Sequence, residues 1–269
     1  MSSVTADLTS DAAMSRAGAN ANEIIYPQIS VSGLGDYDRN TGYTTGAVDL
    51  KWKTAAFNYD RGTKIQVDVM DNDESRNLAF GMAGATLMRE KVAPEADAFT
   101  FATLAAKEGI SKATGEIANA EQFLEALLTA WSKMDEDEVP QESRMLYATA
   151  TLLNSVMSLD TTKSREILAK FAVKKVVPQA RFYTAIDLLD GKTEGETVGH
   201  YKKADGASDI SFMIMHKPAI IKFDKHVASD IILAKANPDA DADIVKYRKY
   251  GIVDAYANKL AGIYLHSKA

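Results

Sequence analysis

Short runs of alternating apolar and polar residues are the clearest pattern in this chain. Residues 48–53 alternate in this way, and residues 64–69 do so again. A period of two is typical of β-strands that bury one face. Between the runs lies the segment 54–62, which contains Phe57 and Tyr59. We therefore predict two strands that pair as a projecting ribbon with a long aromatic tip.

A helical period follows the ribbon. Asp71 and Glu74 have the spacing of a capping box, which predicts a long helix from about residue 73 to residue 91. Pro94 should interrupt or kink it, and a helical pattern resumes over 96–107. One face of the long helix carries Leu78, Met82, Ala85 and Arg89.

The rest of the chain mixes the two periods. Residues 119–134 have a helical apolar stripe, and a second helix is predicted over 152–159. A polar stretch rich in Gly, Lys and Asp, 191–208, is predicted to be a surface loop. Strands are predicted at 145–149, 173–177, 182–186, 210–215, 220–223, 245–256 and 263–265. The predicted class is α+β.

The first 45 residues stand apart because they are rich in small and polar residues. The main apolar island lies between Ile24 and Val31. Such a segment cannot build a core of its own, so we expect a flexible arm that becomes ordered against another surface.

Composition narrows the function classes. The 269 residues include no cysteine, which excludes disulfides, thiolate catalysis and cysteine-bound metals. The net charge of −6 argues against a dedicated nucleic-acid binder. No apolar run reaches the roughly 18 residues of a membrane span, and residues 1–22 have no signal-peptide pattern. We expect a soluble intracellular protein that does not bind membranes.

Tests for catalytic or metal chemistry fail. Asp239, Asp241 and Asp243 have the alternation of a calcium loop, but Ile244 and Tyr250 replace the Gly and Glu that an EF-hand requires. The four histidines form no metal-binding motif, and no nucleophile elbow or phosphate loop is present. The expectation is therefore a non-enzyme without a cofactor or metal.

Several short runs stand out along the chain: Met70–Glu74, Ala79–Gly81, Val92–Ala98, Arg181–Tyr183, Met215–Ala219 and Gly262–His266. Taken together and in this order, they resemble tailed-bacteriophage major capsid proteins over residues 45–269. The resemblance implies the Hong Kong phage-type fold, which encapsulin nanocompartments share. It implies an N-arm (1–45), an E-loop hairpin (46–70), a long spine helix with the first part of a peripheral domain (71–118), an axial domain (119–215) and the return strands of the peripheral domain (216–269).

By the same resemblance, the chain is a structural protein that forms hexamers and pentamers of a virion shell around double-stranded DNA. The shell would hold this DNA without sequence specificity and assemble in the host cytoplasm. A portal and, because the arm is short, a separate scaffolding protein would be further partners. The expected contact residues are Trp52, Lys53, Phe57, Tyr59 and Arg61 in the E-loop and Glu74, Leu78, Met82 and Arg89 in the spine helix.

Two other functions stay open. One is a cellular encapsulin-like compartment, against which the polar, glycine-containing arm argues because it does not predict an ordered N-terminal helix. The other is an α+β enzyme that uses scattered carboxylates.

Covalent cross-links between subunits would need a reactive lysine, and the ribbon offers Lys51, Lys53 and Lys64. No neighbouring base singles one of them out, and no cross-link is predicted.

Overall fold

The computed structural model describes residues 3–10, 16–17, 22–74, 78–159, 161–196 and 199–269, and their fold is α+β. The helices are α1 (Val69–Glu74), α2 (Leu78–Leu87), α3 (Ala93–Ala105), α4 (Ala120–Glu136), α5 (Ala150–Leu159) and α6 (Thr162–Ala169). The strands are β1 (Arg16–Ala17), β2 (Glu23–Val31), β3 (Val48–Ala56), β4 (Tyr59–Asp68), β5 (Ser111–Thr114), β6 (Arg144–Thr149), β7 (Val173–Val177), β8 (Ile186–Leu188), β9 (Tyr201–Lys203), β10 (Ile210–His216), β11 (Ile220–Ile232), β12 (Ala242–Ala255) and β13 (Ile263–Ser267).

A five-stranded sheet in the order β5-β13-β10-β6-β7 separates two hydrophobic cores. Its central strand β10 is buried along its whole length because both faces are covered. Phe212 and Ile214 face the core built with α4, α5 and α6. Met213 and Met215 face the other core, to which α3 contributes Phe101. The predicted return strand β13 belongs to this sheet, beside β10.

A second sheet has the order β11-β12-β4 and carries the long helix. The helix continues from α2 through a π-helical stretch, Met88–Val92, into α3. Pro94 does not end the helix, so the predicted interruption is wrong, but the helix changes from the π-helical stretch to α-helix directly before Pro94. The predicted cap is also wrong: α1 already begins at Val69, and Asp68 Oδ1 accepts a hydrogen bond from the Met70 N–H at 2.9 Å.

The predicted hairpin of β3 and β4 is wrong in its pairing. β3 pairs antiparallel with β2, from Glu23↔Ala56 to Val31↔Val48. β4 instead pairs with β12. The alternation correctly marked both segments as strands, but the predicted buried face is wrong for β3, which is exposed at every position except Ala55. Alternation also does not name a partner. The apolar island between Ile24 and Val31 is that partner for β3, and the ribbon is therefore β2–β3, with residues 32–47 at its tip.

The start of the chain is also packed more firmly than the predicted flexible arm. In the segment Ser3–Ser10, Thr5 and Leu8 are completely buried, and Leu8 joins the core beside Phe101. The described residues of the predicted arm therefore form a docked segment (Ser3–Ser10), the short strand β1, the ribbon strand β2 and most of the ribbon tip.

Smaller differences concern the second half. The predicted loop 191–208 contains β9, which pairs with β8 as a hairpin. The predicted strand 182–186 is shorter and shifted to β8, and Phe182 follows a 3-10 turn. Helix α6 was not predicted, although Thr161 and Ser164 form a capping box at its start.

Candidate functional site

The β2–β3 ribbon is the most exposed apolar element of the described chain. Its base is buried: Ile24, Tyr26 and Ala55 pack against Ile221 and Ile252. Toward the tip the burial ends, and the opposed residues Val31 and Val48 are 68% and 70% exposed. A two-stranded ribbon with exposed apolar residues is marginal in water, so it needs another surface to cover it.

The tip of the ribbon is ordered by its own contacts. Asp38 Oδ1 accepts hydrogen bonds from the N–H groups of Asn40 and Thr41, and Asp38 bridges to Gly42, which has a φ of +81°. These backbone hydrogen bonds lower the pKa of Asp38. The rings of Tyr37 and Tyr43 meet edge-on at 4.9 Å and stay exposed. Together with the fully exposed Leu34, they form an apolar tip held on a tight turn.

The structure divides the predicted E-loop residues. Trp52 and Lys53 lie on the exposed part of β3. Phe57 instead packs against Phe223 and Tyr250 in the body of the protein. Tyr59 is only 5% exposed and Arg61 reaches a buried carboxylate, so these two residues anchor the chain rather than project from it.

A buried polar cluster lies where the ribbon joins the body. Glu95 of α3 accepts hydrogen bonds at Oε1 from Arg61 Nε at 2.7 Å and from Tyr59 Oη at 3.2 Å. Arg61 Nη2 also donates to the carbonyl oxygens of Leu189 and His200, at 2.8 and 3.2 Å. This cluster therefore ties β4, α3 and the β8–β9 hairpin together.

The electrostatics of the cluster favour a fixed carboxylate. Burial alone would raise the pKa of Glu95, but the hydrogen bonds from Arg61 and Tyr59 and the charge of Arg61 counter this effect, and the pKa is lowered. Burial, together with Glu95, raises the pKa of Tyr59 well above its ordinary value. His200 Nδ1 lies 3.6 Å from Glu95 Oε2, too far for a hydrogen bond, and His200 has a strained φ of +75°.

A cavity of about 380 Å³ opens beside this cluster, lined by Lys64, Lys91 and Lys192 among others. Glu95 lies on its wall, with its carboxylate held by Arg61. Within the described ranges, no group of His, Asp or Glu side chains could hold a metal ion. Asp243, from the tested calcium pattern, instead accepts a hydrogen bond from the Ala234 N–H at 2.8 Å. The cluster of Glu95, Arg61 and Tyr59 connects β4, α3 and the β8–β9 hairpin.

The long helix leaves an apolar groove against the second sheet. The groove has a volume of about 320 Å³. Its lining includes Phe80, Ala85, Met88, Ile231 and Val245. Ile231 remains 65% exposed, so the groove is an unfilled apolar surface away from the ribbon.

The predicted spine residues lie on this helical run. Glu74 ends α1, Leu78 begins α2, and Arg89 lies in the π-helical stretch, where it pairs with Glu90 at 3.0 Å. Met82 is 60% exposed.

No helix in the described parts of the chain is long and apolar enough to span a bilayer.

Comparison with known proteins identifies the fold. No family model and no curated protein matches the chain. A structure from Microbacterium phage Oxtober96 has a TM-score of 0.64 at 9% identity and covers 100% of this chain and 92% of that one. The mature capsid of bacteriophage PhiM1 has a TM-score of 0.62 at 10% identity, covering 94% and 84%. A virus-like particle from Pyrococcus furiosus has a TM-score of 0.53 at 9% identity, covering 89% and 86%.

The chain therefore has the fold of a viral shell subunit. More narrowly, it is the fold of tailed-phage major capsid proteins, the Hong Kong phage type, which confirms the fold that the sequence resemblance implied.

Proposed function

We propose that this chain is a major capsid protein that assembles with copies of itself into the closed shell of a phage virion. The fold supports this proposal, and one observation carries it: the β2–β3 ribbon exposes apolar residues at its end, including Leu34 and Val48. When the ribbon of one subunit binds an apolar groove on a different part of the next subunit, the contact is heterologous. Repeated contacts of this kind form a ring if the rotation between neighbouring subunits closes.

In this proposal the ribbon is the E-loop, and it lies over the helix–sheet groove of the neighbouring subunit. This shifts the E-loop from 46–70 to the segment 23–56. The helix α2–α3 and the β11-β12-β4 sheet form the peripheral domain. The five-stranded sheet with α4, α5 and α6 forms the axial domain, whose copies meet in hexamers and pentamers.

The same proposal makes the chain a structural protein and not an enzyme. Its shell encloses double-stranded DNA without sequence specificity. A portal and a separate scaffolding protein are its further partners, and assembly takes place in the host cytoplasm.

Electron microscopy of the purified chain and a matched pair of tip variants test the proposal. Leu34→Ser, Tyr37→Ser and Tyr43→Ser, combined in one chain, remove the apolar tip. The control combines Asp36→Asn, Asn40→Ser and Thr41→Ser, which change polar residues of the same tip. We expect closed particles from the wild type and the control, and folded unassembled subunits from the first variant. Normal particles from the first variant contradict the role given to the ribbon.

A second candidate, a cellular encapsulin-like compartment, is favoured by the likeness to the virus-like particle from Pyrococcus furiosus. The content of shells purified from the native source separates the two candidates. Double-stranded DNA indicates a virion shell, whereas one packaged protein at a fixed ratio indicates a compartment.

A further inference from the structure

The cavity of about 380 Å³ beside the Glu95 cluster is enclosed by three elements that lie far apart in the chain. One wall is β4, between Tyr59 and Lys64, and the second is the long helix, between Leu87 and Glu95. The third wall is the described part of the connection between β8 and β9. The volume falls within the roughly 300–1,000 Å³ of small-molecule pockets. The cavity is therefore a feature of the tertiary fold and not of one loop.

The charged residues on these walls are mainly cationic. Four positive residues line the cavity against two acidic ones: Arg61, Lys64, Lys91 and Lys192 against Glu95 and Asp190. This local excess runs against the net charge of −6 of the whole chain. A concave surface on which one sign of charge dominates concentrates ions of the opposite sign. The walls therefore favour an anionic ligand.

Neither acidic residue forms an ion pair with the lysines of the cavity. The carboxylate of Glu95 accepts two hydrogen bonds from Arg61, at 2.7 and 3.3 Å. Asp190 Oδ1 accepts the N–H groups of Thr193 and Lys192 at 2.8 and 2.7 Å, and these bonds lower the pKa of Asp190 to about 2. Within the described chain, Lys91 and Lys192 have exposed side chains and no ion-pair partner. Their ammonium groups are therefore available to a ligand.

Two further polar groups on the walls have unused hydrogen-bonding capacity. Nε and Nη2 of Arg61 make the hydrogen bonds described above, whereas Nη1 has no acceptor among the described residues. Nδ1 of His200 is buried and has no hydrogen-bond partner in the same part of the chain. A buried polar atom without a hydrogen bond costs stability, so a ligand that bonds to it gains affinity.

The chemistry of these groups selects the class of anion. A guanidinium group together with flexible ammonium groups is the combination that recognises phosphate oxygens. Arg61, Lys91 and Lys192 come from three different walls, so a ligand meets all of them only if its charges are distributed along its length. Leu87, Val92 and Leu189 add an apolar surface beside the charges. A ligand with several phosphate groups satisfies these requirements better than one with a single carboxylate.

We propose that this cavity binds a small polyphosphate, either inorganic or attached to a nucleoside, through Arg61, Lys91 and Lys192. A bound polyphosphate connects β4, the long helix and the β8–β9 hairpin, and it therefore stabilises the folded chain. The proposal does not depend on the shell function.

Titration calorimetry of the full chain with sodium triphosphate, without divalent cations, tests the proposal. We expect saturable binding of one triphosphate per chain. At a triphosphate concentration a hundred times the dissociation constant, the midpoint of thermal unfolding should rise by about 5–10 °C. Sodium chloride at the same ionic strength is the control for screening. No saturable binding up to about 5 mM triphosphate overturns the proposal.

A matched pair of variants locates the binding. Lys91→Gln combined with Lys192→Gln removes one positive charge from each of two walls. We expect at least about tenfold weaker binding of triphosphate, because charge-assisted hydrogen bonds are lost. The control combines Lys112→Gln with Lys163→Gln, at two exposed lysines outside the cavity, and should bind within about twofold of the wild type. Wild-type affinity in the first variant overturns the proposal.

A comparison of ligands identifies the source of the phosphate groups. ATP that binds at least about tenfold more tightly than triphosphate assigns the cavity to a nucleotide, and any smaller difference assigns it to the phosphate groups alone. Both outcomes support the proposal. A poly-aspartate peptide or a short DNA oligonucleotide that binds more tightly than triphosphate, and that loses this affinity in the Lys91 and Lys192 variant, overturns it. The cavity would then receive an acidic protein segment or a DNA backbone.

Discussion

The central strand β10 and the ribbon strand β3 differ in how they use their apolar residues. β10 is buried at every position between two cores, whereas β3 is exposed at all positions except Ala55. β10 is an almost continuous apolar run, whereas in β3 the apolar residues alternate with Asp49, Lys51 and Lys53. The difference shows that both faces of β10 are covered by other parts of the same chain. The apolar residues of β3 remain uncovered in the single chain.

The largest effect is expected in the central sheet. Phe212 is completely buried, stacks 5.1 Å from the ring of His266 and meets Phe123 of α4 at 5.5 Å. Phe212→Ala should lower the free energy of unfolding by about 3–5 kcal/mol, because a cavity remains in a core that cannot collapse around it. Urea denaturation of the unassembled subunit measures this loss. A loss below about 1 kcal/mol contradicts the description of β10 as a rigid core strand.

The junction between ribbon and body should give an intermediate effect. In the structure, both Arg61 and Tyr59 donate hydrogen bonds to the buried carboxylate of Glu95. Arg61→Ala leaves Tyr59 as the remaining donor of these two. We expect a loss of about 2–3 kcal/mol, less than for a fully buried pair because 24% of the Arg61 side chain is exposed. Arg248→Ala is the matched control: Arg248 contacts Asp60 at 2.7 Å on the same sheet, but both side chains are about half exposed, so the loss should stay below about 1 kcal/mol.

The same junction predicts a dependence of stability on pH. The pKa of Glu95 is lowered in the folded chain, so its stabilisation is present above the ordinary carboxyl pKa. It is lost as the pH falls through the lowered value. The acid side of the stability profile should therefore be less steep in Glu95→Gln than in the wild type. Parallel profiles in the two proteins contradict this assignment.

Much of the central sheet was predictable from the sequence because its signals are local. Continuous apolar runs marked β6 and β10, and the helical apolar stripe over residues 119–134 marked α4. Each of these elements is strongly apolar on the face that it buries. Such segments can be recognised without knowing which element they pack against, because their own apolar pattern predicts that they are buried.

The ribbon was not predictable because its pairing depends on distant residues. Pro27 lies in the middle of β2, opposite Trp52, and proline argues against a central strand. Among the described residues, the pairing of β1 with β2 covers Ile24 and Ile25 and does not include Pro27. Nothing local indicates that β4 prefers β12 to β3.

The buried carboxylates were missed for a related reason. Glu95 and Asp97 lie among small apolar residues at the start of α3, where acidic residues are ordinary because they favour the positive end of a helix. The available signal was the continuation of that run into Phe99 and Phe101, which predicts a buried helix carrying charges. Their partners, Arg61, Arg181 and the Ser3–Ser10 segment, come from distant parts of the chain.

The smallest effect on stability is expected in the ribbon, and it is the sharpest test of the comparison. Val31→Ser combined with Val48→Ser removes an opposed pair that is more than two thirds exposed. The free energy of unfolding of the subunit should change by less than about 0.5 kcal/mol, because little apolar area leaves the folded core. If the ribbon has the proposed role, assembly monitored by light scattering should nevertheless be lost, because the proposal buries these side chains against a neighbour. Val253→Ser, the same change at a position 5% exposed in β12, is the matched control, with an expected loss of about 2–4 kcal/mol. A ribbon variant that unfolds like Val253→Ser, or that assembles like the wild type, contradicts the view that β3 carries a surface completed by another copy.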